Sequence, residues 1–187
     1  MRMMRYIWSR VRLLTVAGLI FAATVPASVS ANPFGQGVFG ADVPFGTETN
    51  LTIALGGNVN LNLAPSGGNF EGTGSHTLTV TSTDVVGYRL YIYAPGSTAM
   101  TNGSETISAS GNGSPGALAT NTWGYNTTGS TTNFMGVKST PALLKDANGP
   151  FKNGDNTTVT YGVRVDSTKG AGDYAASVVY TAVTESQ

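Results

Sequence analysis

The chain has 187 residues, no cysteine, and ten acidic against ten basic side chains. Without thiols there is no disulfide framework, no thiolate metal site and no cysteine nucleophile, so stability has to come from an ordinary hydrophobic core. With so little charge and no basic stripe, nothing neutralises phosphates, which argues against a nucleic-acid partner.

In chain order, Arg2, Arg5, Arg10 and Arg12 precede an apolar run, Leu13 to Ala27, followed by Val29-Ser30-Ala31. A basic segment, an apolar segment and small residues at −3 and −1 are the pattern of a secretory signal peptide. Residues 1–31 are therefore expected to be removed after Ala31, with Ala27 as the alternative site. The apolar run falls short of the roughly 20 residues a spanning helix needs, and it contains Pro26. No transmembrane anchor is expected in the mature chain. Cleavage leaves six basic and ten acidic residues, a net charge of −4, which gives no attraction to an anionic membrane.

Residues 32–47, NPFGQGVFGADVPFGT, hold three Phe without alternation and are expected to form a flexible or strand-donating leader. From 48 to 187 the patterns have period two, as in half-buried strands. Strands are expected over 50–55, 59–64, 76–82, 87–94, 105–110, 158–165 and 174–183. In HTLTVTS, Leu78 and Val80 oppose Thr77, Thr79 and Thr81; in GYRLYIYA, Tyr88, Leu90 and Ile92 oppose Arg89, Tyr91 and Tyr93. Gly- and Asn-rich clusters between them are turn material. PALLKDA (141–147) is a weak helix candidate and DANGPFKNGDN (146–156) a long turn. Residues 157–166 and 173–183, around STKGAG, are expected to pair as a hairpin. The expected core holds Ile53, Leu61, Leu78, Val80, Tyr88, Leu90, Ile92, Tyr161, Val163, Tyr174, Val178 and Tyr180. Together these indicate a single all-β domain, an antiparallel β-sandwich of immunoglobulin-like or jelly-roll-like kind.

Chemistry-bearing constellations are scarce. His76 is the sole histidine, with no acid at close spacing on its strand, and Glu71, Asp84, Asp146, Asp155, Asp166 and Asp173 read as turn or loop residues. No catalytic residue and no cofactor is expected, and the chain is expected not to be an enzyme. Calcium is the one cation to weigh: Asp146, Asn148 and Asp155, with Asn153 and Asn156, supply hard oxygens but lack the spacing of a calcium loop, and they suit a turn equally. Sequons at Asn50, Asn102, Asn112, Asn126 and Asn156 mark loops more than glycans. Trp123 and Tyr125, at i and i+2, share a face if extended. They form either an aromatic platform for a sugar ring or a plug at one end of the sandwich, and the plug is the favoured reading. Tyr91 and Tyr93, on an outward strand face, are the better interface candidates.

Three stretches carry a family resemblance: Val86-Gly87-Tyr88-Arg89-Leu90, Asn121-Thr122-Trp123-Gly124-Tyr125, and Val159 to Val165 followed by Gly172-Asp173-Tyr174 and Val178 to Ala182. Over residues 75–184 the chain resembles small exported β-sandwich surface proteins of candidate-phyla bacteria such as the saccharibacterial group. It is also distantly similar to WxL-type cell-wall surface domains, although Trp123-Gly124-Tyr125 and Tyr180-Thr181-Ala182 stand where those carry Trp-x-Leu. The resemblance implies a secreted cell-surface protein with a structural or adhesive role. Its partners would be cell-wall polymer, neighbouring subunits or a host-cell surface. With no sorting motif or apolar tail at the end of the sequence, attachment is expected to be non-covalent. A carbohydrate-binding module built on surface aromatics (Trp123, Tyr125, Tyr91) is the second expectation.

Overall fold

Strand alternation governs the architecture. The computed structural model describes residues 49–185, so the signal segment 1–31 and the leader 32–47 lie outside the described residues. There the chain forms twelve strands and no helix. The first three are β1 (Asn50–Leu55), β2 (Ala64–Ser66) and the fifteen-residue β3 (Asn69–Thr83). Then come β4 (Gly87–Tyr93), β5 (Met100–Asn102), β6 (Glu105–Ala109) and β7 (Gly116–Ala117). The last five are β8 (Thr122–Asn126), β9 (Asn133–Phe134), β10 (Ala142–Asn148), β11 (Phe151–Val165) and β12 (Val179–Glu185).

A large sheet runs β1-β3-β11-β8-β6-β5, with β2 paired to the start of β3. A small sheet, β10-β4-β12, is antiparallel throughout, and β7 pairs with β9 apart from both. Every pairing is antiparallel except β6 with β8. Leu78, Val80, Val159, Tyr161, Val163, Trp123 and Tyr125 from the large sheet share one core with Tyr88, Leu90 and Ile92 from the small one. This is the expected all-β, sandwich-like arrangement: along β3 and β4 one face supplies the core and the other is more open to water, whereas β8 and the middle of β11 are buried on both faces.

Seven of the expected core residues are buried: Leu78, Val80, Tyr88, Leu90, Ile92, Tyr161 and Val163. Ile53, Leu61, Tyr174, Val178 and Tyr180 pack against that core partly buried. Alternation identified them because a period of two sorts side chains between two faces whatever the neighbour strand is.

Several expectations fail: the strand expected over 174–183 is β12 over Val179–Glu185, and Glu71, Asp146 and Asp155, read as turn or loop residues, lie in β3, β10 and β11. Residues 59–63 alternate like a strand but join no ladder; they cross the inner face of β3, where glycines make room. A Cβ on Gly72 would lie 2.7 Å from the Asn62 carbonyl, and one on Gly74 2.8 Å from the Asn60 carbonyl. Residues 142–148 are β10, not a helix, because the edge of β4 offers ladder partners that outweigh a short helical preference. The turn expected over 146–156 shrinks to Gly149-Pro150, with Gly149 at φ 103°, between β10 and β11. The expected C-terminal hairpin does not form either. β11 lies between β3 and β8, whereas β12 pairs with β4 in the opposite sheet. Tyr161 and Tyr180 do meet, but across the sandwich, hydroxyl to hydroxyl.

Candidate functional site

Trp123 lies inside the protein. It is 1% exposed, and its indole Nε1 donates to the Thr98 carbonyl at 2.9 Å. Register places Trp123 beside Val163 and Tyr125 beside Tyr161, so both aromatics point into the core, and Tyr125 is 3% exposed. The Trp123 and Tyr161 ring centroids are 6.2 Å apart. A ring so enclosed has no face to stack on a sugar, so residues 121–126 offer no open platform; the tryptophan is a core plug whose polar edge is satisfied.

Tyr91 and Tyr93 stand on the outer face of the small sheet, half-buried among neighbours. Tyr91 is flanked by Leu143 of β10 and Thr181 of β12, and Tyr93 by Val179. Leu143 is 53% exposed and Val183 51%. At one end of this face Arg89 bridges the strands, its Nη2 2.7 Å from Glu185 and its Nε 3.2 Å from Asp146. The Asp146 hydrogen bond and the Glu185 charge hold the guanidinium firmly in its charged form. The result is an apolar and aromatic strip with a nearly balanced charged border.

The calcium candidates are spread along two strands. Asp146 faces outward onto Arg89, whereas Asp155 faces inward, 2.6 Å from Lys145 Nζ and accepting from the Tyr88 hydroxyl at 2.7 Å. Asn148 closes β10 opposite Gly87. Each carboxylate thus answers a cation of the protein itself. Among the described residues no three His, Cys, Asp or Glu side chains gather as a metal group. Burial drives the Tyr88 hydroxyl far above its ordinary value, and the Asp155 hydrogen bond and charge add to this.

His76 belongs to a relay joining the two sheets. Its Nδ1 donates to the Gly57 carbonyl at 2.8 Å, and its Nε2 is hydrogen-bonded to the Tyr180 hydroxyl at 2.8 Å. The Tyr180 hydroxyl is in turn hydrogen-bonded to the Tyr161 hydroxyl. Burial pushes Tyr161 up to about 12 despite its hydrogen bond with Tyr180, and burial raises Tyr180 further still. Both phenols therefore stay protonated at neutral pH, and no carboxylate shares a hydrogen bond with the imidazole. The arrangement suits a structural clasp.

A site that strand patterns did not indicate lies on the outer face of the large sheet. Register sets Glu71 opposite Arg164 and Thr73 opposite Gly162. The β7–β9 pair and the residues just before β9 cover this face, with Phe134 against Gly162, and leave a cleft of about 200 Å³. Leu118 and Phe134, both buried, form its apolar floor, and Thr131 stands on the rim. Arg164 Nε is buried with no hydrogen-bond partner; Glu71 Oε1 is 3.3 Å away but outside hydrogen-bond geometry. Its Nη1 reaches only the Leu118 carbonyl, at 3.4 Å. The pairing Glu71–Arg164 follows from register between strands 93 residues apart in sequence, and period-two alternation does not specify register.

No protein-family model matches the chain, and no curated protein matches it. Among solved structures, it is similar to a chain from a structure described as a chaperone–tip adhesin complex in CFA/I fimbriae biogenesis. The match covers 74% of this chain and 42% of that one, at 16% sequence identity and a TM-score of 0.49. This chain therefore corresponds to less than half of that chain's length.

Proposed function

We propose that the chain is a non-enzymatic protein exported to the cell surface after removal of residues 1–31, with a structural or adhesive role. In this reading it self-associates through the outer face of the small sheet and is held at the surface without covalent attachment. The observation that carries this is the strip of Tyr91, Tyr93, Leu143, Val179 and Val183, with two aliphatic side chains more than half exposed. A lone exposed aliphatic residue is ordinary, but a contiguous apolar strip on a sheet face is a contact surface. Its border supports a second copy as the partner: Arg89 between Asp146 and Glu185 leaves little like-charge repulsion when two such faces meet. Tyrosines at the centre of the strip suit the residue types enriched in interface cores.

Sedimentation of the mature chain tests this reading. It is expected to show a dimer or larger species at about micromolar concentration, and Leu143→Ser/Val183→Ser should weaken it by at least about tenfold. A wild-type chain that stays monomeric would remove self-association. In the filament version of the proposal, the leader 32–47 adds a strand to a free edge of a neighbouring copy. Deletion of residues 33–46 should then lower the assembled mass measured by light scattering. Fractionation of native cells tests surface attachment: release from the wall fraction by a chaotrope supports it, and a chain found wholly in the medium refutes it.

A further inference from the structure

We infer that the cleft on the outer face of the large sheet is a binding site for a single neutral sugar unit, such as the terminal residue of a glycan. The argument rests on this cleft alone and is independent of the apolar strip on the other sheet. The guanidinium of Arg164 carries five N–H groups, and its one hydrogen bond is the long contact to Leu118. Its Nε is enclosed 3.3 Å from Glu71 Oε1, and the side chain is 34% exposed, so the Nη groups are the donors left for an acceptor entering the cleft. Glu71 offers acceptor oxygens beside it, and the exposed Thr73 and Thr131 add hydroxyls that donate or accept.

The charges select the ligand. An acidic group placed against Arg164 would also meet Glu71, and a cation placed against Glu71 would meet Arg164. Adjacent hydroxyls on a neutral ring suit both: one donates to the Glu71 carboxylate while its neighbour accepts from the guanidinium. The C–H face of the same ring can rest on Leu118 and Phe134. A cleft of about 200 Å³ is smaller than the roughly 300–1,000 Å³ of drug-sized sites, which limits the occupant to one ring.

Saturation-transfer NMR on the mature chain tests this, using methyl glycosides of glucose, galactose, mannose and N-acetylglucosamine, with methyl glucuronide as the acidic comparison. At least one neutral glycoside should bind at about 10 mM, a concentration that reveals millimolar affinity. Thr73→Val should weaken that binding about fivefold, the worth of one hydrogen bond. Glu71→Gln should narrow the preference for neutral over acidic sugar, because it removes the repulsion that excludes glucuronide. A merely structural role for Glu71 would not shift that preference. Leu143→Ser/Val183→Ser should leave the signal unchanged, which separates this site from self-association. The inference is overturned by absence of transfer from all four neutral glycosides, by binding that both cleft variants leave intact, or by a wild-type preference for the glucuronide.

Discussion

Gly162 stands in the middle of β11 with no side chain because the Phe134 ring occupies the space above it. A Cβ built there falls 2.3 Å from Phe134 Cζ and 2.6 Å from each Cε. Carbon atoms in ordinary contact sit roughly 3.5–4.0 Å apart, so Gly162→Ala requires the ring to retreat by about 1 Å or more. Phe134 is 3% exposed, and its segment is pinned: the Asn112 side-chain amide donates to the Phe134 carbonyl at 3.1 Å, and Met135 and Tyr125 exchange backbone hydrogen bonds at 2.7 and 2.9 Å. Overpacking of this kind costs about 1–3 kcal/mol, offset by the roughly 0.5–1 kcal/mol that Ala gains over Gly in a strand. Gly162→Ala should therefore destabilise the domain by about 1–2 kcal/mol, seen as a lower urea midpoint at unchanged slope. Phe134→Leu removes the three offending carbons. In that background Gly162→Ala should become neutral or stabilising, a coupling of about 2 kcal/mol in a double-mutant cycle. Equal effects of Gly162→Ala in both backgrounds, within about 0.5 kcal/mol, would refute the packing argument.

Trp123→Ala should cost about 3–5 kcal/mol and leave the Thr98 carbonyl without its donor; thermal unfolding near the wild-type midpoint would show that the ring is not in the core. Asp155→Asn should cost about 1–2 kcal/mol, because Lys145 and the Tyr88 hydroxyl lose a charged partner at a half-buried site; denaturant unfolding in low salt measures it. Alkaline stability follows from Tyr161, whose folded value lies near 12 against about 10 in the unfolded chain. Above pH 10 the unfolded chain releases this proton first, so the contribution is complete below about pH 10 and is lost as pH rises toward 12, amounting to about 2–3 kcal/mol. Urea unfolding between those limits should fall less steeply with pH in Tyr161→Phe than in the wild type, and identical slopes would contradict the assignment.

How much of the fold was legible depended on whether a feature was local. Alternation placed Leu78 and Val80 against the threonines of β3, and Tyr88, Leu90 and Ile92 against Arg89, because a strand sorts its side chains without knowing its partner. Pairing is not local. Residues 157–166 and 173–183 read as a hairpin, yet the intervening chain passes between sheets, and the Tyr161 and Tyr180 hydroxyls meet across the core. Residues 59–63 carry a strand pattern of their own, and only the bare glycines 72 and 74 of another strand explain why they lie across a sheet instead of in it.

The same distinction applies to the surfaces. Tyr91 and Tyr93 were recognisable as an outward face from one strand alone, but Leu143 joins them only because β10 is a strand and not the helix its sequence suggests. Trp123 was ambiguous for a related reason: i, i+2 spacing with Tyr125 says that the two rings share a face and is silent on whether that face is inside. The Val163 and Tyr161 partners of β11 decide it, since a face that includes those side chains is the core face. The cleft depends most on non-local order. Register sets Arg164 against Glu71, and a glycine at 162 lets Phe134 lie close to the sheet and form the cleft floor. On this threonine-rich sheet face, the juxtaposed arginine and glutamate supply a cation and an anion side by side. Such pairs are found by tracing register across strands far apart in sequence, after each strand's own pattern has been read.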